Sequence, residues 1–155
     1  MIRKAEQKDI PSLNKLLSQV LTIHANGRPD IFKANTKKYT DEELSTLLQN
    51  QNTPIFVAVN ENERVHGYAF CVFVEIKDNN ILHDIKYLYI DDLCVDETCR
   101  GQKIGKELYD YVCTFAKENG CKQIRLNVWN LNNDAIRFYE KCGLTPLKTT
   151  LETNL

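Results

Sequence analysis

The sequence contains no excess of charge of either sign and no long apolar run. Its 155 residues include 20 Lys and Arg against 21 Asp and Glu, which gives a formal net charge of −1. Without a surplus of cations a protein has no field to hold a polyanion, so we expect no nucleic-acid partner. No apolar run approaches the roughly 18 residues of a membrane span. The N-terminal stretch MIRKAEQKDI lacks the apolar core of a signal peptide, and we expect no membrane partner.

The sequence also lacks the cysteine spacing of a metal site or a disulfide framework. Its six cysteines stand at positions 71, 94, 99, 113, 121 and 142, none of them in a C-x-x-C pair, and the three histidines do not cluster with them. This pattern argues against a structural zinc site, so we predict no metal. Thiols without a disulfide framework indicate a reducing compartment, and we predict a cytoplasmic protein.

Length and periodicity predict one domain, residues 1–155, of the α/β class. Apolar residues recur at helical spacing from Asp9, and residues 24–35 interrupt this pattern and are predicted to form a loop. Thr40 opens a second helix with the sequence of a capping box. Further strands are predicted at 1–5, 53–59, 65–76, 85–95, 122–129 and 145–155, and further helices at 103–119 and 132–141. The order βααββ–β–α–β–α–β predicts a mixed sheet with helices on both faces.

Residues 100–106 combine glycines and cations between a strand end and a helix start. The first N–H groups of a helix have no partner inside it, and the helix dipole makes that end attractive to anions. Gly101 and Gly105 allow close backbone approach, while Arg100, Lys103 and Lys106 add positive charge. A solvated helix start explains the same residues equally well. The spacing matches neither a Walker A loop nor G-x-G-x-x-G.

Two segments resemble motifs of one enzyme family. LCVDETCRGQKIGKELYDYV is similar to motif A of the GNAT superfamily of acyl-CoA-dependent N-acyltransferases, in which a strand leads into [QR]-x-x-G-x-[GA] and a long helix. Arg100, Ile104 and Gly105 match this motif, whereas Lys103 stands at its first glycine. Downstream, NLNNDAIRFYEKCGL resembles N-x-x-A-x-x-[FL]-Y-E-K-x-G-[FL]. The matching positions are Asn132, Ala135, Phe138, Tyr139, Glu140, Lys141 and Gly143.

The resemblance implies the GNAT fold, with a mostly antiparallel sheet of about six to seven strands, and an N-acetyltransferase. An acetyl group would move from acetyl-CoA to a primary amine by direct attack in a ternary complex. The backbone of three strand residues would pair with the pantetheine arm: Leu93, Cys94 and Val95. Backbone N–H groups would hold the pyrophosphate at Arg100, Gly101, Gln102, Lys103, Ile104, Gly105 and Lys106. Asn132 would contact the cofactor near the arm.

The resemblance also implies an acid and a base. Tyr139 matches the tyrosine assigned as general acid for the departing thiolate, although a core tyrosine with a satisfied hydroxyl is the alternative. YIDDLCV resembles the "ED" segment of the polyamine-acetylating branch, which makes Asp91 the candidate base, acting through a bridging water. Strand parity predicts that Asp91 faces the same way as Leu93, whose N–H is the candidate oxyanion donor, and that Asp92 faces the opposite way.

The acceptor is less well defined by the sequence. Arg28 and His24 would suit an acceptor carboxylate, whereas a cationic amine would suit the acidic residues Asp30, Glu75, Asp84 and Asp91. We expect a small cationic amine or a lysine-like group. Two other interpretations stay open: an acyl-CoA sensor without turnover, and an interaction domain with the same fold. The family often pairs through C-terminal strands, so we also expect that a homodimer would use residues 145–155.

Overall fold

A computed structural model describes residues 1–155 as one mixed sheet with helices on both faces. The strands are Ile2–Lys4 (β1), Ile55–Val59 (β2), Val65–Ile76 (β3), Ile85–Val95 (β4) and Gln123–Leu126 (β5), in that spatial order. The helices are Ile10–Gly27 (α1), Asp41–Gln49 (α2), Ile104–Glu118 (α3) and Asn133–Lys141 (α4). Strands β1 to β4 pair antiparallel and β5 pairs parallel to β4. The predicted fold class is confirmed.

Two apolar clusters hold the helices to the sheet, one on each face. All five residues of β2 are buried because this strand has helices over both of its faces. The cluster under α1 and α2 includes Leu13, Leu16, Leu44, Val57 and Phe70. The cluster under α3 includes Phe56, Leu88, Ile90, Leu108 and Val112. Each fully buried side chain of this size contributes about 1.5–3 kcal/mol to folding. No helix combines the length and apolar character that crossing a membrane requires.

Local signals place most helix starts where the sequence predicts them. The capping box of α2 is present: Thr40 Oγ1 accepts a hydrogen bond of 3.1 Å from the Glu43 backbone N–H. The predicted loop over 24–35 is wrong in its first part, because α1 continues through Gly27. Ala25 is still buried there and His24 still packs against Phe32, so side-chain contacts sustain the last helical turn.

The sheet has five strands rather than about six to seven, because residues 145–155 form no strand. From Thr145 onward no backbone group bonds to another backbone group, and every residue is exposed. A backbone without a neighbouring strand keeps its hydrogen bonds with water. One ion pair ties this tail to the chain, between Glu152 and Arg28 at 2.6 Å.

Strand β4 carries a β-bulge at Asp91. Phe70 of β3 lies opposite Asp92, and Cys71 lies opposite Ile90, so Asp91 has no partner. A bulge bends its strand and increases the local twist. The pairing with β5 ends at the same place, since it runs only from Tyr87 to Ile90. Beyond Ile90, β4 is paired on one edge only, and its other edge opens into a gap beside β5.

Helix α3 begins at an unusual residue. Lys103, its N-cap, has φ 62° and ψ 11°, which is the left-handed conformation. An L-residue with a side chain pays about 1–2 kcal/mol for this conformation, whereas glycine does not. The lysine therefore adopts the backbone shape that a glycine at this motif position supplies without strain.

We predict that Lys103→Gly stabilises the protein. Removing the left-handed strain should raise the free energy of unfolding by about 1 kcal/mol, even after the larger chain entropy of glycine is counted. Urea unfolding followed by circular dichroism measures the change. Lys117→Gly, in the last turn of α3 where the backbone is helical, is the matched control and should instead lower the free energy of unfolding, by up to about 1 kcal/mol. A loss of stability in Lys103→Gly would contradict this explanation.

Candidate active site

Unpaired backbone amides line the loop that leads into α3. No N–H from Arg100 to Lys106 donates to an acceptor in the protein, and the first bond of the helix runs from Glu107 N to Lys103 O at 3.0 Å. Gly101, with φ 85°, and Lys103 are the two left-handed residues within this run. Successive amides in such a turn form a concave anion site at the positive end of the helix. The predicted free amides are therefore present.

Side-chain contacts hold this loop in place, and two of its three cations have no carboxylate partner. Asp96 is 3% exposed and accepts hydrogen bonds of 3.0 Å from both the N–H and the hydroxyl of Thr98, which lower its pKa. Cys99 Sγ lies 3.1 Å from His66 Nδ1. Of the three cations that the sequence offers here, only Lys106 is held by a carboxylate, that of Asp110.

The free edge of β4 adjoins this loop. Leu93, Cys94 and Val95 pair with β3 and have no partner in β5. Gly105 brings α3 close to them, since a Cβ there would lie 3.5 Å from Val95 Cγ2. Cys94 turns its thiol into the core under α1, and burial raises its pKa to about 12, which excludes a thiolate at neutral pH. The free edge of β4 can therefore bind a ligand through its backbone groups rather than through the Cys94 side chain.

Helix α4 carries Tyr139 into electrostatic range of Asp92, which follows the last β4 residue paired with β5. Asn132 caps the helix, its Oδ1 accepting a hydrogen bond of 3.2 Å from Ala135 N–H. Tyr139 packs edge-on against Phe138, with ring centroids 5.1 Å apart, and its hydroxyl bonds to no protein group. Burial raises the pKa of Tyr139, and the Asp92 carboxylate raises it further. The phenol thus stays protonated and within electrostatic reach of Asp92, unlike a core tyrosine with a satisfied hydroxyl.

Strand parity predicts that Asp91 and Asp92 face opposite ways, and this prediction is wrong. Lys38 Nζ lies 3.2 Å from Asp91 Oδ2 and 3.8 Å from Asp92 Oδ2, so both carboxylates converge on one ammonium. The physical reason is the bulge, which breaks the alternation of faces at Asp91. Asp92 also accepts a hydrogen bond of 2.9 Å from the hydroxyl of Tyr68.

Asp92 differs from Asp91 in burial. Its side chain is 13% exposed against 36% for Asp91. Burial raises the pKa of Asp92, although the Lys38 ammonium and the Tyr68 hydroxyl oppose the shift. Sequence reasoning missed Asp92 because adjacent residues of a regular strand face opposite ways. The only signal was the repeated Asp, which does not reveal a bulge.

The other acceptor candidates do not gather at this point. Asp84 accepts a hydrogen bond of 3.0 Å from Asp78 N–H, and Glu75 pairs with Lys77 at 3.5 Å, both at the far end of the β3–β4 hairpin. Arg28 is occupied by Asp30 at 2.8 Å as well as by the tail. Nowhere do three or more His, Cys, Asp or Glu side chains converge as metal ligands would.

Aromatic rings border the gap on the side of the loop after α1. Phe32 packs against His24 with ring centroids 4.9 Å apart and against Trp129 at 5.0 Å. Trp129 follows β5 and is 42% exposed. Burial lowers the pKa of His24, and the Lys38 ammonium lowers it further. This cluster leaves a neutral, partly accessible wall near the two carboxylates.

Comparisons with known proteins identify the family. The family model described as Acetyltransferase (GNAT) family matches residues 22–144. Glucosamine 6-phosphate N-acetyltransferase of Arabidopsis thaliana is 27% identical over 113 residues, covering 71% of this chain and 74% of that protein. Thialysine N-epsilon-acetyltransferase of Sus scrofa is 35% identical over 60 residues, covering 39% of this chain and 35% of that protein.

A solved structure agrees over the whole chain. The structure of a mutant of the BH1408 protein from Bacillus halodurans has a TM-score of 0.96 and 30% identity, covering 100% of this chain and 99% of that one. The family model spans well over half of the chain, and the named relatives carry N-acetyltransferase activity in their names. The chain therefore belongs to the acetyltransferase (GNAT) family and is an acyltransferase.

Proposed function

We propose that this protein transfers an acetyl group from acetyl-CoA to a primary amine by direct attack in a ternary complex. The observation that carries the proposal is the run of unpaired amides from Arg100 to Lys106 beside the free edge of β4. A diphosphate would satisfy these amides with charge-assisted hydrogen bonds. The adjoining strand edge would then receive the pantetheine arm.

The arm would bind along Leu93, Cys94 and Val95 as an added strand, because this edge has backbone groups and no neighbour. Asn132 would contact the arm through its NH₂ group, since its carbonyl oxygen is engaged by the helix. No metal is needed for this chemistry. The thioester would lie at the gap between β4 and β5, where Tyr139 and the two aspartates are found.

The reaction needs a neutral amine, an oxyanion donor and an acid. One carboxylate takes a proton from the acceptor ammonium, and the amine nitrogen attacks the thioester carbon. The N–H of Leu93 would stabilise the oxyanion. As the C–S bond breaks, Tyr139 gives its proton to the sulfur, which leaves as CoA thiol. The raised pKa of Tyr139 keeps that proton in place until then.

The proton acceptor lies in the Asp91–Asp92 pair. Asp91, reached through a bridging water, is the residue that the resemblance implies. Asp92 has the stronger physical case, because burial raises its pKa and a carboxylate with a higher pKa is a better base. Separate Asn variants distinguish the two assignments, since the true base should show the larger loss of kcat.

For the acceptor we favour a small cationic amine or a lysine-like group. Two carboxylates at one point attract an ammonium, as Lys38 already demonstrates. The test is thiol release from acetyl-CoA with a panel of polyamines, lysine derivatives, amino sugars and peptides. Release with at least one amine supports the proposal. Binding of acetyl-CoA without release from any of them would instead indicate a sensor, and absence of binding an interaction domain.

The first prediction of the proposed function concerns the diphosphate. Acetyl-CoA should bind at least roughly tenfold more tightly than S-acetylpantetheine, because each charge-assisted hydrogen bond to the loop contributes about 1.5–3 kcal/mol. Titration calorimetry of both compounds with the unmodified protein measures the difference. Equal affinities would show that residues 100–106 do not hold the diphosphate.

The second prediction concerns the acid. Tyr139→Phe should lower kcat by roughly 10²-fold, because general acid catalysis contributes at least that much, while the acetyl-CoA Kd stays nearly unchanged. Steady-state thiol release and calorimetry separate the two quantities. Tyr111→Phe, on the exposed face of α3, is the matched control and should leave kcat unchanged. Wild-type turnover in Tyr139→Phe would refute the assignment.

The third prediction concerns Asp92. Asp92→Asn keeps an oxygen to accept from Tyr68 but removes a buried charge, so kcat should fall while stability at pH 7 rises. The folded pKa of Asp92 lies above its unfolded pKa, so the native protein loses stability as pH rises through that interval. The gain in stability of Asp92→Asn over the unmodified protein should therefore be absent at low pH, where Asp92 is protonated. It should be complete above the folded pKa of Asp92. Thermal melts across pH measure it, and a loss of stability at neutral pH would contradict the prediction.

A further inference from the structure

Lys38 occupies the place where an acceptor amine is expected. It lies in the loop between α1 and α2, and its ammonium contacts both members of the Asp91–Asp92 pair. The contacts are made at the bulge, where β4 loses its pairing with β5. Lys38 is therefore a primary amine of the chain itself held beside the candidate base.

Neighbouring lysines are placed differently. Lys37 is 62% exposed and pairs with Asp41, the first residue of α2, at 3.4 Å. Lys38 is 39% exposed and its Nζ also lies over the ring of Tyr39, 5.4 Å from the centroid. The chain thus offers two adjacent lysines, one directed to the gap and one directed away from it. Chemical acetylation in solution would favour the more exposed one.

Two of the groups that acetyl transfer requires, an amine and a carboxylate, are in contact at Lys38. Asp92 touches the ammonium on one side, and its charge acts on the phenol of Tyr139. An amine and two carboxylates are thus in contact before any acceptor binds, and one of these carboxylates acts electrostatically on the phenolic acid. What this arrangement lacks is the thioester, which acetyl-CoA would bring along the β4 edge.

We propose that Lys38 is a self-acetylation site, modified from acetyl-CoA bound to the same chain when no external amine occupies the gap. This inference rests on the proposed function, because it uses the same thioester, base and acid. It adds a residue of the chain as an acceptor. It also identifies the chemistry of the preferred external acceptor, which must displace a lysine ammonium from two carboxylates.

The step balances as an ordinary aminolysis. One carboxylate of the Asp91–Asp92 pair takes a proton from the Lys38 ammonium, and the nitrogen lone pair forms the N–C bond to the acetyl carbon. The C–S bond breaks, Tyr139 passes its proton to the sulfur, and CoA thiol leaves. The second proton on nitrogen goes to water as the amide forms. No oxidant or further reactant is required.

The ion pairs of Lys38 with Asp91 and Asp92 slow its acetylation but do not prevent it. Burial works to lower the pKa of Lys38, but the Asp92 and Asp91 carboxylates outweigh it and raise the pKa. The neutral amine is therefore a minor species, and modification should proceed more slowly than turnover with a good acceptor. Once acetylated, Lys38 carries no charge, and both carboxylates lose their counter-ion. A cationic acceptor should then bind more tightly.

The test uses the full chain, acetyl-CoA and no acceptor. Peptide mass spectrometry follows acetylation of Lys38 and Lys37 over time at several protein concentrations. We expect Lys38 to gain up to one acetyl group per chain, at least roughly tenfold faster than Lys37 because it is held in place. The rate constant should not depend on protein concentration and should fall roughly 10²-fold in Tyr139→Phe.

Matched variants complete the design. Lys38→Arg keeps the charge and should abolish the fast phase, whereas Lys37→Arg should leave it unchanged. Lys38 modification no faster than that of Lys37, or unaffected by Tyr139→Phe, overturns the inference. The amine panel runs in parallel: thiol release with an external amine but no Lys38 acetylation overturns this inference alone. No thiol release under any condition overturns the proposed function as well.

Discussion

The end of pairing between β4 and β5 at Ile90 is the constraint on which the site depends. A fully paired β4 would have no free backbone and no gap. Because β5 departs there, the last residues of β4 keep one edge unpaired, and the loop before α3 lies at the end of the strand. Tyr139 of α4 lies within electrostatic range of Asp92 in this part of β4. The apolar clusters on both faces of the sheet hold these parts in place.

Burial, more than net charge, determines the pKa values of the titratable groups at this gap. The chain is nearly neutral overall, yet it concentrates two carboxylates, one ammonium and two phenols where β4 bends. In a partly dry site each of these groups shifts the titration of the next. Asp92 and Tyr139 illustrate this coupling, since both have raised pKa values and the carboxylate raises that of the phenol. The candidate anion site at the start of α3, by contrast, consists of backbone amides without a partner in the protein.

The sequence predicts regular strands and helix caps correctly, but it does not reveal the β-bulge that interrupts β4. The bounds of β3 and β4 and the cap at Thr40 follow from alternation and local hydrogen bonding, which a sequence displays directly. The resemblance drew attention to the loop before α3 and to Tyr139, whose roles stay predictions. The bulge at Asp91 reverses a parity argument without any marker in the sequence, so Asp92 and Lys38 were missed. Residues 145–155 have the composition of a strand, and composition indicates strand propensity. It does not show whether a partner strand exists, and here none does.

The bulge has a consequence for how this chain tolerates changes in length. The hairpin tip between β3 and β4 is exposed, with Ile81 88% accessible, so residues added or lost there alter only a projecting turn. A single deletion at Asp91 would remove the bulge. Ile90 would stay opposite Cys71 and Asp92 opposite Phe70, so the residues from Asp92 to Val95 would keep their partners. Strand β4 would, however, lose the bend at which its pairing with β5 ends. Variation among descendants of this sequence should therefore accumulate at the tip and leave the spacing between Ile90 and Val95 fixed.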